Sequence, residues 1–474
     1  MNRQMRVAAA AVALGLSASL GLGASLGLGA GAASADHPPA VNPGLLPAGD
    51  PAAPPEKTER PANSDCSNTV SGGEGATIPT AQRSLDLEKA WQFSKGEGQT
   101  VAVIDTGVAR HPRLPGLIAG GDFVANSGDG TEDCDGHGTF VAGLIAASKI
   151  DGQGFSGVAP EARIMTIRQT SKMYQKEGRS RERNPDDLPE GYGNLATMAS
   201  AIRRAADANV SVINISEVWC GSSNDVDGSI GAAVRYATLE KNVVVVVAAG
   251  NQDGSCKTEQ QIIDPLKPSA DPWSNVRVNV SPARWDDYVI SVGSIDSNGA
   301  PSKFTVPGPW VSVAAPGENM VSLDPRGTGT ATGTVNQQGQ QQAMSGTSFA
   351  TPLVSGVVAL VRARFPDMSA LDVVKRMQAT AHAPAEGWSP YIGYGAVDPV
   401  AALTDEVSST PLPPKRPSPA KSAQLAVPKP APPPDNRARN VALIGTGIIG
   451  TALVLGYLAS FPIRRRFGVK SDDM

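Results

Sequence analysis

Between about Leu85 and Leu403, short β-branched apolar runs alternate with segments of helical period. The apolar runs Thr100 to Ile104, Arg163 to Ile167, Val210 to Ile215, Val243 to Ala248, Tyr288 to Val292 and Val311 to Ala314 predict strands covered on both faces, because continuous apolar character leaves no solvent side. Helices are predicted between and after them, over His137 to Ala147, Leu195 to Ala208, Ser229 to Lys241, Ser348 to Phe365 and Ser369 to Ala379. This alternation specifies an α/β fold, a mostly parallel sheet with helices on both faces, in one domain of roughly 320 residues. In such sheets ligands collect at the carboxyl ends of the strands. Two segments break the pattern: Gln169 to Asn194 is charged and polar, and Arg326 to Gln342 consists largely of Gly, Thr and Gln. Neither offers much core, so both are expected to be surface loops.

The ends differ in kind from the body. Residues 1–35 carry Arg3 and Arg6, a long Ala/Leu/Gly run and the small residues Ala33, Ser34 and Ala35, the pattern of a cleaved signal peptide. Residues 36–83 form a Pro-containing extension, too poor in apolar residues to fold alone. After the body (84–405), residues 406–437 make a Pro-rich linker of extended chain. Residues 438–463 are predicted to be a transmembrane helix: Val441 to Ile463 holds no charge and is long enough, at about 1.5 Å per residue, to cross a bilayer. Arg464, Arg465 and Arg466 open the tail, 464–474, and put it on the cytoplasmic side. The expected product is a single-pass membrane protein with an extracytoplasmic body.

Composition changes this picture only in places. The net charge of −4 over 474 residues, with no basic stripe in the body, argues against nucleic acid as a partner. Cys66, Cys134, Cys220 and Cys256 all fall in the part expected outside the membrane, where thiols oxidise. Two disulfides follow, with three pairings open, and no Cys-x-x-Cys spacing points to a metal.

The candidate chemistry lies at strand ends and helix starts. Ser348 stands where the small residues Gly346 and Thr347 lead into an apolar helix, and the positive end of that helix favours a developing negative charge. The same placement suits a plain capping serine. A nucleophilic serine needs a base. Of four histidines, His37 lies in the extension, His382 after the last body helix and His111 before Pro112, whereas His137 opens a helix between two glycines. Asp105 ends an apolar strand and can fix the tautomer of an imidazole. Asn251 follows another such strand behind Ala249 and Gly250 and can donate to an oxyanion. An aspartic protease would need a second Asp-Thr/Ser-Gly, which the chain lacks. No HExxH or paired-histidine spacing predicts a metal, no loop names a calcium site, and no cofactor is implied.

The stretches VAVIDTGV, DGHGTFVAGLIA, VVVVVAAGN and SGTSFATPLVSGVVALV, with GYGAVDPVAAL near the end of the body, closely resemble the signature blocks of the subtilisin-like serine proteases. The order Asp, His, Ser and the Gly-Thr-Ser-Phe-Ala setting separate them from α/β-hydrolases and chymotrypsin-type enzymes. The resemblance implies Asp105 as orienting carboxylate, His137 as general base and acid, Ser348 as nucleophile, and Asn251 with the Ser348 N–H as oxyanion donors. The architecture further resembles the mycosins, the membrane-anchored proteases of type VII secretion systems. After Ser216 of VINISE, Glu217 and Val218 depart from the Ser-x-Gly strand by which subtilases hold substrate backbone, as in mycosins. That resemblance also implies pairing of Cys66 with Cys134 and of Cys220 with Cys256.

The expected function is hydrolysis of peptide bonds through an acyl-enzyme, on proteins exported by a type VII secretion system. The alternative is a structural subunit of the secretion membrane complex with proteolysis secondary. Expected partners are protein or peptide substrates and that membrane complex.

Overall fold

In a computed structural model, residues 37–49, 52–62, 64–178, 191–221, 227–336, 338–416 and 435–466 are described. The expected signal peptide (1–35), the middle of the polar insertion, most of the Pro-rich linker and the last residues of the tail lie outside them.

Seven parallel strands form the central sheet: β1 (Thr100–Asp105), β2 (Ile118–Asp122), β3 (Arg163–Arg168), β4 (Val212–Ile215), β5 (Val244–Ala248), β6 (Val289–Ile295) and β7 (Val311–Pro316), in the order β7-β6-β5-β4-β1-β3-β2. Alternation along the strands sends side chains to opposite faces. Val101 and Val103 of β1, Val244 and Val246 of β5 and Ile290 of β6 join one apolar cluster with helices α1 (His137–Ala146), α4 (Thr347–Arg364) and α5 (Ala370–Ala379). Ala102, Ile104, Val245, Val247 and Val289 join a second cluster on the other face with α2 (Leu195–Asp207) and α3 (Gly228–Arg235).

All six expected strands and five expected helices of the body are present, with shifts of a residue or two at most ends. Exceptions have local causes. β2 has the sequence IAGGD, too short of apolar residues to register as a strand, and takes its place at the sheet edge by pairing with β3. The helix expected over Ser229 to Lys241 passes at Tyr236 from α-helix into a wider turn, Tyr236–Glu240.

The expectation of a surface loop over Arg326 to Gln342 is corrected. Thr330–Val335 is a strand, antiparallel to Asn68–Ser71 of the N-terminal extension and to Ser322–Leu323 and Gln341–Ala343. Its threonines have β propensity, but its partner lies some 260 residues upstream in sequence, beyond the reach of local pattern. The polar insertion is partly corrected too: Gln169, Thr170 and Ser171 are buried, and Gln175–Lys176 pairs with Thr58–Glu59. The extension thus lies along the body as short strands and fastens to it through a disulfide between Cys66 and Cys134.

The described residues 435–466 belong to a second unit, separate from the body. Within it, helix α6 (Arg437–Arg466) contains a candidate span, Arg437–Ile463, with an 18-residue window of mean hydropathy 2.0, long and apolar enough to cross a membrane.

Candidate active site

The sheet topology sets adjacent strand ends side by side. β1 pairs with β4 through Ile104 and Ile215, and β4 pairs with β5 through Ile215 and Val247. The residues just beyond are Asp105, then Ser216 and Glu217, then Asn251, so one edge of the sheet receives a carboxylate, a second carboxylate and an amide.

Asp105 is fully buried, and its Oδ1 accepts from His137 Nδ1 at 2.7 Å and from the Thr106 N–H at 2.8 Å. Among the described residues its Oδ2 has no hydrogen-bond partner, which leaves the negative charge to be answered chiefly by the imidazole. His137 is the first residue of α1 and reaches Asp105 because α1 packs almost against the loop after β1. A Cβ on Gly138 would lie 2.0 Å from the carbonyl oxygen of Gly107, so only glycine permits that approach. Asp133 fixes the start of α1: its carboxylate accepts from Thr106 Oγ1, the Gly136 N–H, and both the N–H and Oγ1 of Thr139, at 2.6–2.9 Å. Burial nevertheless pushes the Asp133 carboxyl up to about 6.

The His137 ring is about a quarter exposed, with Phe349 tilted over it at 5.3 Å between ring centroids. Burial alone would draw the imidazole pKa down, but the Asp105 charge and hydrogen bond outweigh it, and the group is pushed up to about 9. Glu217 Oε1 stands 3.5 Å from the same Nδ1. Its carboxyl is also raised, by burial first and then by the neighbouring Asp105, with the His137 charge opposing. The donor atoms of Asp105, His137 and Glu217 lie within 4.8 Å of one another. Because Nδ1 carries the proton given to Asp105, it has no lone pair for a cation, and we assign no metal there.

Ser348 is the second residue of α4, whose N-cap is Gly346, so its hydroxyl is not spent as a cap. At that position the backbone N–H also has no partner inside the helix. Asn251 is held from one side: its Oδ1 accepts from the Thr347 N–H at 2.9 Å and from Thr347 Oγ1 at 3.1 Å, which leaves the Nδ2 donor pointing away. Where it points is fixed by Gly346. A Cβ built on Gly346 would lie 3.1 Å from Ser348 Oγ and 3.3 Å from Asn251 Nδ2. The space over that glycine is therefore one where a small polar atom meets the hydroxyl and the amide at hydrogen-bond range.

The structure bonds His137 to Asp105, sets Asn251 and Ser348 around Gly346, and lays Phe349, the residue after Ser348, against the His137 ring. It occupies the other histidines elsewhere: His37 with Asp271, buried His111 with the Gly329 carbonyl, and His382 with Asp398. Cys66 is bonded to Cys134 and Cys220 to Cys256. One residue at the site, Asp133, escaped sequence reasoning. It lies in EDCDGHG among other acidic and polar residues, and nothing local marks it as the buried hub that its four hydrogen bonds make it. Glu217 had only its departure from the Ser-x-Gly pattern, and nothing in the chain indicated that it meets His137.

The subtilase family model matches residues 96–395. Mycosin-4 of Mycobacterium tuberculosis (strain ATCC 25618 / H37Rv) is 43% identical over 435 residues, covering 89% of this chain and 90% of that protein. A structure of the MycP3 protease from the type VII (ESX-3) secretion system shares 43% identity and covers 78% of this chain and 100% of that one, with a TM-score of 0.72. A structure of an intact ESX-5 inner membrane complex contains a chain 40% identical that covers 90% of this chain and 99% of that one, with a TM-score of 0.73. The chain belongs to the subtilase family of serine proteases and, within it, to the mycosins.

Proposed function

We propose that the chain is a membrane-anchored, extracytoplasmic serine endopeptidase that cleaves proteins exported by a type VII secretion system. The observation that carries the chemical part is the convergence over Gly346: nucleophile and amide donor lie about 3 Å from one point, beside an imidazole bonded to a buried carboxylate.

In this reading Ser348 Oγ attacks the scissile carbonyl while His137 Nε2 takes its proton. Asp105 holds Nδ1–H and stabilises the imidazolium. Asn251 Nδ2 and the Ser348 N–H receive the oxyanion, the imidazolium returns its proton to the leaving amine, and water then hydrolyses the acyl-enzyme by the same steps in reverse. The uncharged run Val441 to Ile463 of α6 and the three arginines after Ile463 support an anchor with its tail in the cytoplasm. Type VII secretion enters through the relatives, whose structures are of a protease and a membrane complex of such systems.

The test is the set of peptides released from proteins exported by cells carrying the wild type or Ser348→Ala. Fragments formed only with the wild type support the reading; identical peptide sets contradict it.

A second reading has its own support, since a chain 40% identical stands within the intact ESX-5 inner membrane complex. Here this protein also serves as a structural subunit. Export that survives Ser348→Ala but fails on deletion of the gene identifies that role; failure with both makes proteolysis the essential part.

A further inference from the structure

Two neighbouring strands each deliver a carboxylate to His137, and the mechanism above uses only one of them. Asp105 closes β1. Glu217 lies two residues beyond Ile215, the residue of β4 paired with Ile104 of β1. Its backbone is held on both sides. Upstream, Asn214 Nδ2 donates to Ser216 Oγ at 3.0 Å while Asn214 Oδ1 accepts from Ser355 of α4 at 2.8 Å. Downstream, Trp219–Gly221 pairs with Asn279–Ser281, and Cys220 is bonded to Cys256. So restrained, the Glu217 side chain puts Oε1 3.5 Å from His137 Nδ1 and remains only about a quarter exposed.

We propose that Glu217 is a positioning residue of the proteolytic reaction, a second carboxylate that holds the His137 imidazolium and so sets the pH range in which the imidazole is free to act as base. This rests on Asp105, His137 and Ser348 as the catalytic set. The chemistry follows from the charges. A negative group at this distance favours the protonated ring, which makes the base scarcer at neutral pH but stabilises the imidazolium that forms as Ser348 attacks. The other charged groups facing the pair are Asp105 at the end of β1, Asp133 and Asp135 ahead of α1, and Lys172 in the segment after β3. Asp133 is spent on the start of α1. Asp135 accepts from Ser171 Oγ and from the Lys172 N–H. Among the described residues, Glu217 is thus left as the carboxylate beside Nδ1 whose polar contact is the imidazole itself. Because Glu217 and His137 hold protons at each other's expense, they titrate as a pair.

The experiment compares full-length wild type, Glu217→Gln and Glu217→Asp in detergent, with folding checked by thermal melting. The first readout is the second-order rate of labelling by a fluorophosphonate probe from about pH 6 to pH 10. The second is the 15N titration of the histidine rings, with His137 assigned by its loss in His137→Gln. Glu217→Gln, which keeps the shape and removes the charge, is expected to move the acid limb of labelling and the His137 midpoint to lower pH by about one unit, and to lower the labelling plateau. Glu217→Asp is expected to keep most of the wild-type midpoint. A His137 midpoint displaced by less than about half a unit in Glu217→Gln overturns the proposal. So does an unmoved acid limb together with weakened KM for peptides bearing Lys or Arg, which would make Glu217 a substrate contact. Absence of labelling in all three proteins would count against the catalytic set, while the ring titration still decides whether Glu217 governs His137.

Discussion

Asn251 has two sides, and substitutions can separate them. Its Oδ1 accepts two hydrogen bonds from Thr347, at 2.9 and 3.1 Å, and its Nδ2 faces the space over Gly346. Asn251→Ala removes both functions. Loss of the oxyanion donor costs about 3–4 kcal/mol of transition-state stabilisation, a fall of about 100- to 1000-fold in acylation rate. Loss of the acceptor strands a buried N–H and a hydroxyl, worth roughly 1–3 kcal/mol of stability, or a few degrees in Tm. Asn251→Asp keeps an acceptor for Thr347 and loses the donor, so the activity loss should match or exceed that of Asn251→Ala while Tm stays near the wild-type value. The assays are fluorophosphonate labelling rates and thermal melting on purified protein. An Asn251→Ala labelling rate within a few-fold of wild type refutes the oxyanion assignment. An unchanged Tm in that variant refutes the tether.

Asp105→Asn should leave the fold intact and lower kcat by about 10⁴-fold, because the amide favours the wrong imidazole tautomer; a loss below tenfold on a cleaved peptide would contradict this. Replacing Cys66 and Cys134 by Ser opens a crosslink across 68 residues and should cost about 4 kcal/mol on a chain-entropy basis, with labelling of the folded protein retained; denaturant unfolding measures it. With His137 raised to about 9, its contribution to stability is complete below an unfolded pKa of about 6.5 and is lost as pH rises through about 9. Over that window labelling should quicken while the His137-dependent part of the stability declines, and His137→Gln should abolish the first trend and flatten the second. A chain ending before Arg437 should leave the membrane fraction and keep its labelling rate; continued sedimentation with membranes would contradict the anchor.

What was legible in the sequence follows the range of the interactions that fix each part. Val244–Ala248 and Val289–Ile295 announce buried parallel strands because they are apolar on both faces, and α4 announces itself by its unbroken apolar length. Asp105, His137, Asn251 and Ser348 each sit at the junction of such an element with glycine or other small residues, so their setting is written locally. The partnership of Thr330–Val335 with Asn68–Ser71 is not, since it depends on the extension crossing the body. Edge strand β2 was hidden for a simpler reason: IAGGD lacks the side chains that mark strands. Glu217 stood out in the sequence, but its meeting with His137 was hidden because it depends on strand order and on the restraints that flank it.

The central claim is that Ser348 is activated by His137. Its most direct measurement is the position of the adduct after the folded, full-length protein reacts with a fluorophosphonate, read by peptide mass mapping in wild type, His137→Ala and Ser348→Ala. The account predicts an adduct on Ser348 in the wild type, a labelling rate lower by several orders of magnitude in His137→Ala, and none in Ser348→Ala. An adduct on another serine, or equal labelling in all three proteins, would contradict it.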